Sequence, residues 1–311
     1  MIITDIENKG TAGAAAAIKP KKFNLHRLVE SVMGVVFFLS ACVSIIAVVL
    51  ICAFMFVGGC PTIAEIGVAD FLLGTEWRPL NSTPSFGIFP MIIGSIYVTA
   101  GAIIVGVPIG LLTAVFMAKF CPRKLYKWLM PPINLLAGIP SIVYGFFGMI
   151  VIVPIIRNVF GGDGRGNSIL TASILLGIMI LPTIVGMSQS AMKAVPESYY
   201  EGALALGATH ERAVCTVIIP AARSGILASV ILAIGRAIGE TMAIIMIAGN
   251  QPRLPDSILD GVRTLTANIV LEMSYATGLH YDALIATGVV LFVFILLINL
   301  LFNAITSKKE R

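Results

Sequence analysis

The chain has 311 residues, of which 58% are hydrophobic and only 12% charged, with a formal net charge of +5. A soluble domain carries about a quarter charged residues, so this composition, with a mean hydropathy of +0.97, excludes a soluble globular protein and indicates an integral membrane protein. The basic residues are spread over short segments with no reading motif, which gives a nucleic-acid partner no support.

Residues 31–64, 79–118, 128–156, 166–192 and 283–307 carry no charge. Each run exceeds the roughly 20 residues that a helix needs to cross a hydrocarbon core. A sixth apolar stretch, 221–249, contains only Arg223, Arg236 and Glu240 as charges. The expectation is an all-α membrane protein with six spans at 32–57, 88–118, 128–156, 168–192, 221–249 and 283–306. Barrel strands would instead alternate over about ten residues. Six spans put both termini on one side. The loops of that side hold 15 Lys and Arg against 5 on the other, with Arg236 inside the membrane. The positive-inside rule makes the richer side cytoplasmic, so both termini are expected there and the protein in the cytoplasmic (inner) membrane of a prokaryote.

In chain order, residues 1–30 read as a cytoplasmic tail, polar and Ala/Gly-rich over 1–22, before a first transmembrane helix at 31–57. Leu39-Ser40-Ala41-Cys42 mimics a lipoprotein cleavage box, but the apolar run continues to about Val57, so an uncleaved helix is expected. The external loop 58–87 holds Trp77-Arg78-Pro79 and is too long for a simple turn. Two readings stay open for it: a docking surface for an external partner, and a short interfacial helix that anchors the fold. The region 88–306 forms the transmembrane core and 307–311 a cytoplasmic C-terminus. Val107-Pro108-Ile109-Gly110 and Ala137-Gly138-Ile139-Pro140 put helix breakers inside the second and third spans. In a membrane such breaks persist where protein neighbours satisfy the backbone, so these spans are expected to face protein. Gly161–Gly166 lacks the Lys-Ser/Thr of a P-loop and reads as a flexible external connection. The five cysteines show no metal or redox spacing.

The loop 193–220 spends about thirty residues where a few would turn the chain. Pro196 suits the first turn of a helix, and Glu197 and Glu201 suit its positive end. Gly207 suits a left-handed cap, Thr209 can cap a second helix, and Pro220 marks the start of the fifth span. The loop therefore reads as a surface helix-turn-helix presenting Ala203, Leu204 and Leu206 as an apolar plug for a soluble partner.

In the fifth span, Arg236 and Glu240 are four residues apart, a spacing that places them on one helical face as a neutralising pair. Gly235 and Gly239 beside them offer a groove for a neighbouring helix. A charge at the bilayer centre costs about 2.5–3.5 kcal/mol on insertion scales. In one reading the pair fixes helix packing. In the other, Arg236 meets an anion in transit, since the guanidinium fork donates two parallel hydrogen bonds to an oxyanion, and Glu240 holds Arg236 while the path is empty.

Glu201-Gly202-Ala203, three residues, Gly207, nine residues, then Val217-Ile218-Ile219-Pro220 resembles the signature loop of ABC importer permeases, with Gly202 for the first Ala, and Val217 and Ile219 for Ile and Leu. Arg236-Ala237-Ile238-Gly239-Glu240-Thr241-Met242-Ala243, with Leu136–Gly145 and Trp77-Arg78-Pro79, resembles the permease of phosphate-specific ABC transporters, the PstC type, over the chain after about residue 28. The resemblance implies a type I ABC importer permease fold. It makes Glu201, Gly202, Ala203, Leu204, Leu206 and Gly207 the ATPase-coupling helix, and Arg236, Glu240 and Thr241 the substrate-path residues. It implies inorganic phosphate as substrate and a second, paralogous permease across a pseudo-two-fold axis. It also implies two copies of a cytoplasmic ABC ATPase that uses ATP and Mg, an external phosphate-binding protein, and lipid around the bundle. The chain has no nucleotide site, so a non-catalytic transport subunit with no cofactor or metal of its own is expected. Rival readings are a permease for another oxyanion, such as molybdate or sulfate, and an ion-coupled phosphate carrier. The carrier needs intramembrane acids and an internal repeat, whereas Glu240 is the only buried acid expected and no repeat is present.

Overall fold

A computed structural model describes residues 25–160 and 166–308. The expected tail 1–22, most of the Gly161–Gly166 connection and the last residues of the C-terminus lie outside the described residues. The chain separates into two compact units, Met1–Cys52 and Ala53–Arg311.

The first unit contains the start of helix α1, Leu25–Ile66, which begins inside the stretch expected to be tail. Its side chains are apolar and exposed, among them Val43, Ile46 and Leu50, as a lipid-facing helix requires. The hydroxyls of Ser40 and Ser44 donate to carbonyls four residues back, Val36 and Ser40, so neither is left unsatisfied.

In the second unit, α1 ends at Ile66 and α2 follows at Val68–Leu73. A two-stranded antiparallel hairpin, β1 (Trp77–Arg78) and β2 (Ser85–Phe86), leads into α3, Phe89–Val115, extended by a π turn over Phe116–Phe120. Phe71, Trp77, Phe86, Ile88 and Met91 bury one another with residues of the last helix. For these residues, the anchoring reading of loop 58–87 is the one the packing supports.

The third span is broken. Helix α4 covers Arg123–Gly138 and α5 covers Ser141–Phe147. A π turn at Gly148–Ile152 and α6, Val153–Phe160, complete it. Pro140 is the cause, because proline disfavours helical backbone in the preceding residue and Ile139 is extended, with φ −71° and ψ 128°. Helix α4 buries no residue in this chain. Within this chain α5 buries Tyr144 and Gly145, while α4 contributes Leu136 to the edge of the core.

Helix α7, Ile169–Lys193, is the centre of the unit and packs along α3. The close approach is made by glycine. A Cβ at Gly106 would lie 2.7 Å from the Gly177 carbonyl oxygen, which cannot yield as a side chain would. After α8 (Glu197–Ala205), α9 (His210–Ala213), a π turn at Val214–Ile218 and α10 (Ile219–Ala221), the chain bends by 68° into α11, Arg223–Gly239. Then come α12 (Met242–Ile247), a loop over 248–264, α13 (Leu265–Glu272) and α14 (Leu279–Lys308). Among the described residues five helices are long and apolar enough to cross a membrane, and there are six if the bent pair His210–Ala221 with Arg223–Gly239 is one span. The fifth span differs from expectation, since it breaks again at Glu240 and does not run unbroken to residue 249.

Candidate functional site

Two ends of the second unit are distinct: one carries the hairpin, the other carries α8. At the α8 end, the chain turns as its residues dictate. Pro196 sits at the N-cap rather than inside the first turn, with Glu197 in the first turn. Gly207 has φ +86°. Its N–H donates to Leu204 O, and Ala208 N–H donates to Ala203 O at 3.1 Å. This double closure needs a left-handed residue, which glycine takes without a Cβ penalty. The Thr209 hydroxyl accepts from Arg212 N–H and caps α9. Glu211 lies in the first turn of α9, where a backbone N–H, then the Thr209 hydroxyl, hold its carboxyl below the usual range.

Leu206 is 91% exposed and Leu204 is also exposed, whereas Ala203 is half-buried. The apolar plug therefore consists of the two leucines. Beneath it, Ala114, Met192, Val195, Ile218 and Ala222 form a core with Tyr200 packed against it. The sequence reading missed the clasp that holds α8 to the end of α3. Tyr200 Oη and His210 Nδ1 are 2.7 Å apart, the Phe120 and His210 rings meet edge to face, Lys119 lies 5.4 Å from the Tyr200 ring centre, and Lys119 Nζ is 3.5 Å from Glu197 Oε2. No sequence period links these residues, which come from three elements.

The second constellation is the break between α11 and α12. Arg236 lies in the last turn of α11 and is exposed on the surface of this chain. Its Nη1 donates to Thr183 Oγ1 at 3.5 Å, and it lines an open cleft of about 580 Å³ with Thr183, Met187, Leu232, Gly235 and Asn299. The expected Arg236–Glu240 pair is not among the ion pairs of the described residues, and this is a correction. Helix α11 stops at Gly239, and Glu240 is extended, with φ −69° and ψ 133°, so the i, i+4 geometry does not exist. Glu240 Oε1 instead accepts from Thr241 N–H at 3.1 Å and Ala243 N–H at 3.3 Å, satisfying the start of α12. Thr241 Oγ1 donates to Gly239 O, and Thr266 Oγ1 on α13 donates to Glu240 O. Apart from the adjoining residues and the helix's own backbone, no atom of the described residues lies within 4 Å of a Cβ placed at Gly235 or Gly239, so the small-residue groove is open.

The third constellation was not anticipated, and it corrects the expectation of a single buried acid. Glu272, at the end of α13, is 6% exposed. Its Oε2 accepts from Trp77 Nε1 at 2.8 Å and lies 2.8 Å from His280 Nε2; its Oε1 accepts from Arg263 Nη1. Arg263 also donates to Asn268 Oδ1 and to Asn250 O. The carboxylate thus joins hairpin, loop, α13 and α14. Spacings of 9 and 195 residues carry no local signal.

Apolar helical spans, a surface helix at one end and a broken helix whose Arg236 forms no ion pair among the described residues are the features of a polytopic membrane protein. The chain belongs to the family of binding-protein-dependent transport system inner membrane components, which residues 106–311 match. It is 39% identical to the probable ABC transporter permease protein YqgH of Bacillus subtilis (strain 168), over 87% of this chain and 88% of that one. It is 35% identical to the phosphate transport system permease protein PstC of Mesorhizobium japonicum, covering 78% and 80% of the two chains. Identity to PstC of Haemophilus influenzae is 32%, covering 94% and 98%. Among solved structures, a bacterial alginate ABC transporter in complex with a periplasmic protein aligns over 92% of this chain and 99% of that one, with TM-score 0.63 and 16% identity. The MetNI methionine transporter aligns over 72% and 95%, with TM-score 0.53 and 20% identity. The fold is that of type I ABC importer permeases.

Proposed function

We propose that this chain is the transmembrane permease of an ATP-driven importer for inorganic phosphate. The observation that carries the reading is Arg236, a guanidinium exposed in an open cleft beside a membrane-spanning helix and forming no ion pair among the described residues. A fixed cation costs free energy in a membrane and marks a substrate path by default. Its planar fork suits the oxygens of phosphate, and several relatives carry the name phosphate transport permease. Thr183 orients the guanidinium, and the Glu240–Thr241 break ends the helix just beyond it.

Exposure of Arg236 and the open Gly235–Gly239 groove support a second, paralogous permease closing the path from the other side. The basic-residue bias places the α8 end in the cytoplasm and the hairpin end outside. There Leu204 and Leu206 enter a cleft in one of two copies of an ABC ATPase, which supplies ATP and Mg chemistry that this chain lacks. An external phosphate-binding protein delivers the anion. The Tyr200–His210–Phe120 clasp passes motion of α8 into α3, and the spans alternate between outward and inward openings.

Arg236→Gln tests the reading. The complex is expected to assemble with its ATPase while phosphate uptake into vesicles collapses; normal uptake by an assembled variant removes Arg236 from the path. Competition by molybdate and sulfate in the wild-type complex decides the oxyanion, because the fork alone does not distinguish tetrahedral anions.

A further inference from the structure

The cleft that holds Arg236 runs into a second one. The second also encloses about 580 Å³; it is lined by Gly186, Ser190 and Gly225 among others, and shares Thr183, Met187 and Ala228 with the first. Together they follow one face of α7 from Thr183 to Ser190, a rise of roughly 10 Å at 1.5 Å per residue, toward the end that carries α8. Arg236 is the sole charged residue among those lining either cleft. Just past Ser190, Lys193 lies in the last turn of α7 and is exposed. It stands three positions beyond Ser190 and seven beyond Gly186, spacings that keep it on the cleft's face of the helix.

Lys193 is positioned without being neutralised. Its Nζ lies 4.3 Å from the centre of the Tyr126 ring on α4 and donates to the Tyr126 hydroxyl at 3.2 Å. Gln189, 3% exposed, donates to the same hydroxyl at 2.7 Å and holds the phenol from the buried side. A ring face attracts an ammonium but leaves its charge uncancelled, and an ammonium has three donors, of which Tyr126 takes one. Lys193 forms no ion pair among the described residues, whereas Lys119 at the same end lies 3.5 Å from Glu197 Oε2. A lysine in a last turn also suits the helix dipole, but that role asks only for charge and does not call for the Gln189–Tyr126 support. Between the two cations, α7 offers an anion no donor past Thr183: Met187 is apolar, and Ser190 Oγ donates its proton to Gly186 O at 2.8 Å. The arrangement is therefore two separate cationic stations joined by a cleft.

We propose that Lys193, seated on Tyr126, is a second anion station at the cytoplasmic mouth of the path, which takes phosphate from Arg236 and releases it to the cytoplasm. The proposal rests on the reading of Arg236 as a substrate-path residue and on the basic-residue bias that makes the α8 end cytoplasmic, and it adds the release step to that reading. A single site that binds an anion well lets it go slowly, and passage is faster when binding is shared between sites. Lysine suits the second one. Its ammonium is a strongly hydrated point charge without the planar fork of arginine, so it draws the anion onward without gripping it through two parallel hydrogen bonds.

The test uses the whole complex, both permeases with the ATPase, in proteoliposomes with ATP inside and phosphate-loaded binding protein outside. Lys193→Gln is expected to lower the maximal uptake rate about tenfold while the half-saturating concentration of loaded binding protein stays within about twofold, the split that marks a step after capture. Lys193→Arg keeps the charge and is expected to hold uptake within about threefold of wild type. Phosphate moved per ATP hydrolysed is expected to match wild type in both. Wild-type uptake by Lys193→Gln, with uptake lost in Arg236→Gln, overturns the station and leaves the path reading standing. Hydrolysis kept while transport is lost assigns Lys193 to the coupling of α8, and equal losses in Lys193→Gln and Lys193→Arg make side-chain shape rather than charge decisive; either result overturns the proposal. Normal uptake by Arg236→Gln overturns the path reading and the station that rests on it, whatever Lys193→Gln does.

Discussion

Glu272 accepts hydrogen bonds from Trp77 and Arg263, and His280 Nε2 lies 2.8 Å from its Oε2. A charge this buried is tolerated because each oxygen is paired, and removing one partner leaves the others uncompensated. Glu272→Ala is expected to cost about 3–5 kcal/mol, the usual penalty for breaking a buried ion pair, visible as a lowered melting temperature of the detergent-purified complex. Trp77→Phe keeps the ring and removes one donor to a charged acceptor, so about 1.5–3 kcal/mol is expected. Equal melting temperatures for both variants and wild type would mean that the network contributes nothing. Glu240 differs from Glu272, since its carboxylate holds the start of α12 and does not pair with Arg236. Residue type and spacing correctly singled out Arg236 as a charge inside a span. They failed on its pairing, because the i, i+4 rule presupposes a continuous helix and Gly239 ends this one.

At the scale of elements, two glycines in the α8 segment behave differently. Gly202 has nothing within 4 Å of a Cβ placed on it, and its backbone is helical. Gly202→Ala, which restores the alanine of the signature loop, is expected to stabilise α8 by up to about 1 kcal/mol through helix propensity and to preserve transport. Gly207 is also free of contacts but has φ +86°, so Gly207→Ala is expected to cost about 1–2 kcal/mol and to weaken ATPase retention in pull-downs. If both variants retain the ATPase equally, the left-handed cap does not set the lever. Between α3 and α7, Gly106→Ala forces its methyl against the Gly177 carbonyl, and about 1–3 kcal/mol of overpacking strain is expected in the same melting assay. The α8 helix, its glycine cap and the Thr209 cap were legible in the sequence because caps are local. The breaks at Pro140 and Glu240 were legible only in part. Proline announces the first, while nothing in Glu240-Thr241 announces the second, which Thr266 on α13 supports from the outside.

For the whole molecule, the proposed reading divides the labour among subunits. In that reading the chain supplies a lever, a path and an outer face, and another subunit supplies the motor. Affinity purification from native membranes is expected to recover an ABC ATPase and a second permease with this chain. The purified chain alone in sealed liposomes is expected not to accumulate phosphate against a gradient, and uphill transport by the lone polypeptide would end the importer reading. The exposed face around Arg236 and the open Gly235–Gly239 groove belong to this scale as well, because the proposed path is lined by this chain on one side and needs a second subunit to close it.

The amino-acid sequence by itself determined the membrane setting, the apolar spans, the capped surface helix α8 and the position of Arg236 within the fifth span. Each of these is written in runs of apolar residues, in charge placement, or in caps a few positions apart, and bilayer thickness and helix rise convert such patterns directly into structure. Only the tertiary structure decided which groups meet across the fold. It placed Tyr200 against His210 and Phe120, withdrew Glu240 from Arg236, and gathered Trp77, Arg263 and His280 around Glu272. The physical reason is that a buried polar group must find a partner wherever packing brings one, and that choice depends on the whole fold rather than on the neighbouring residues.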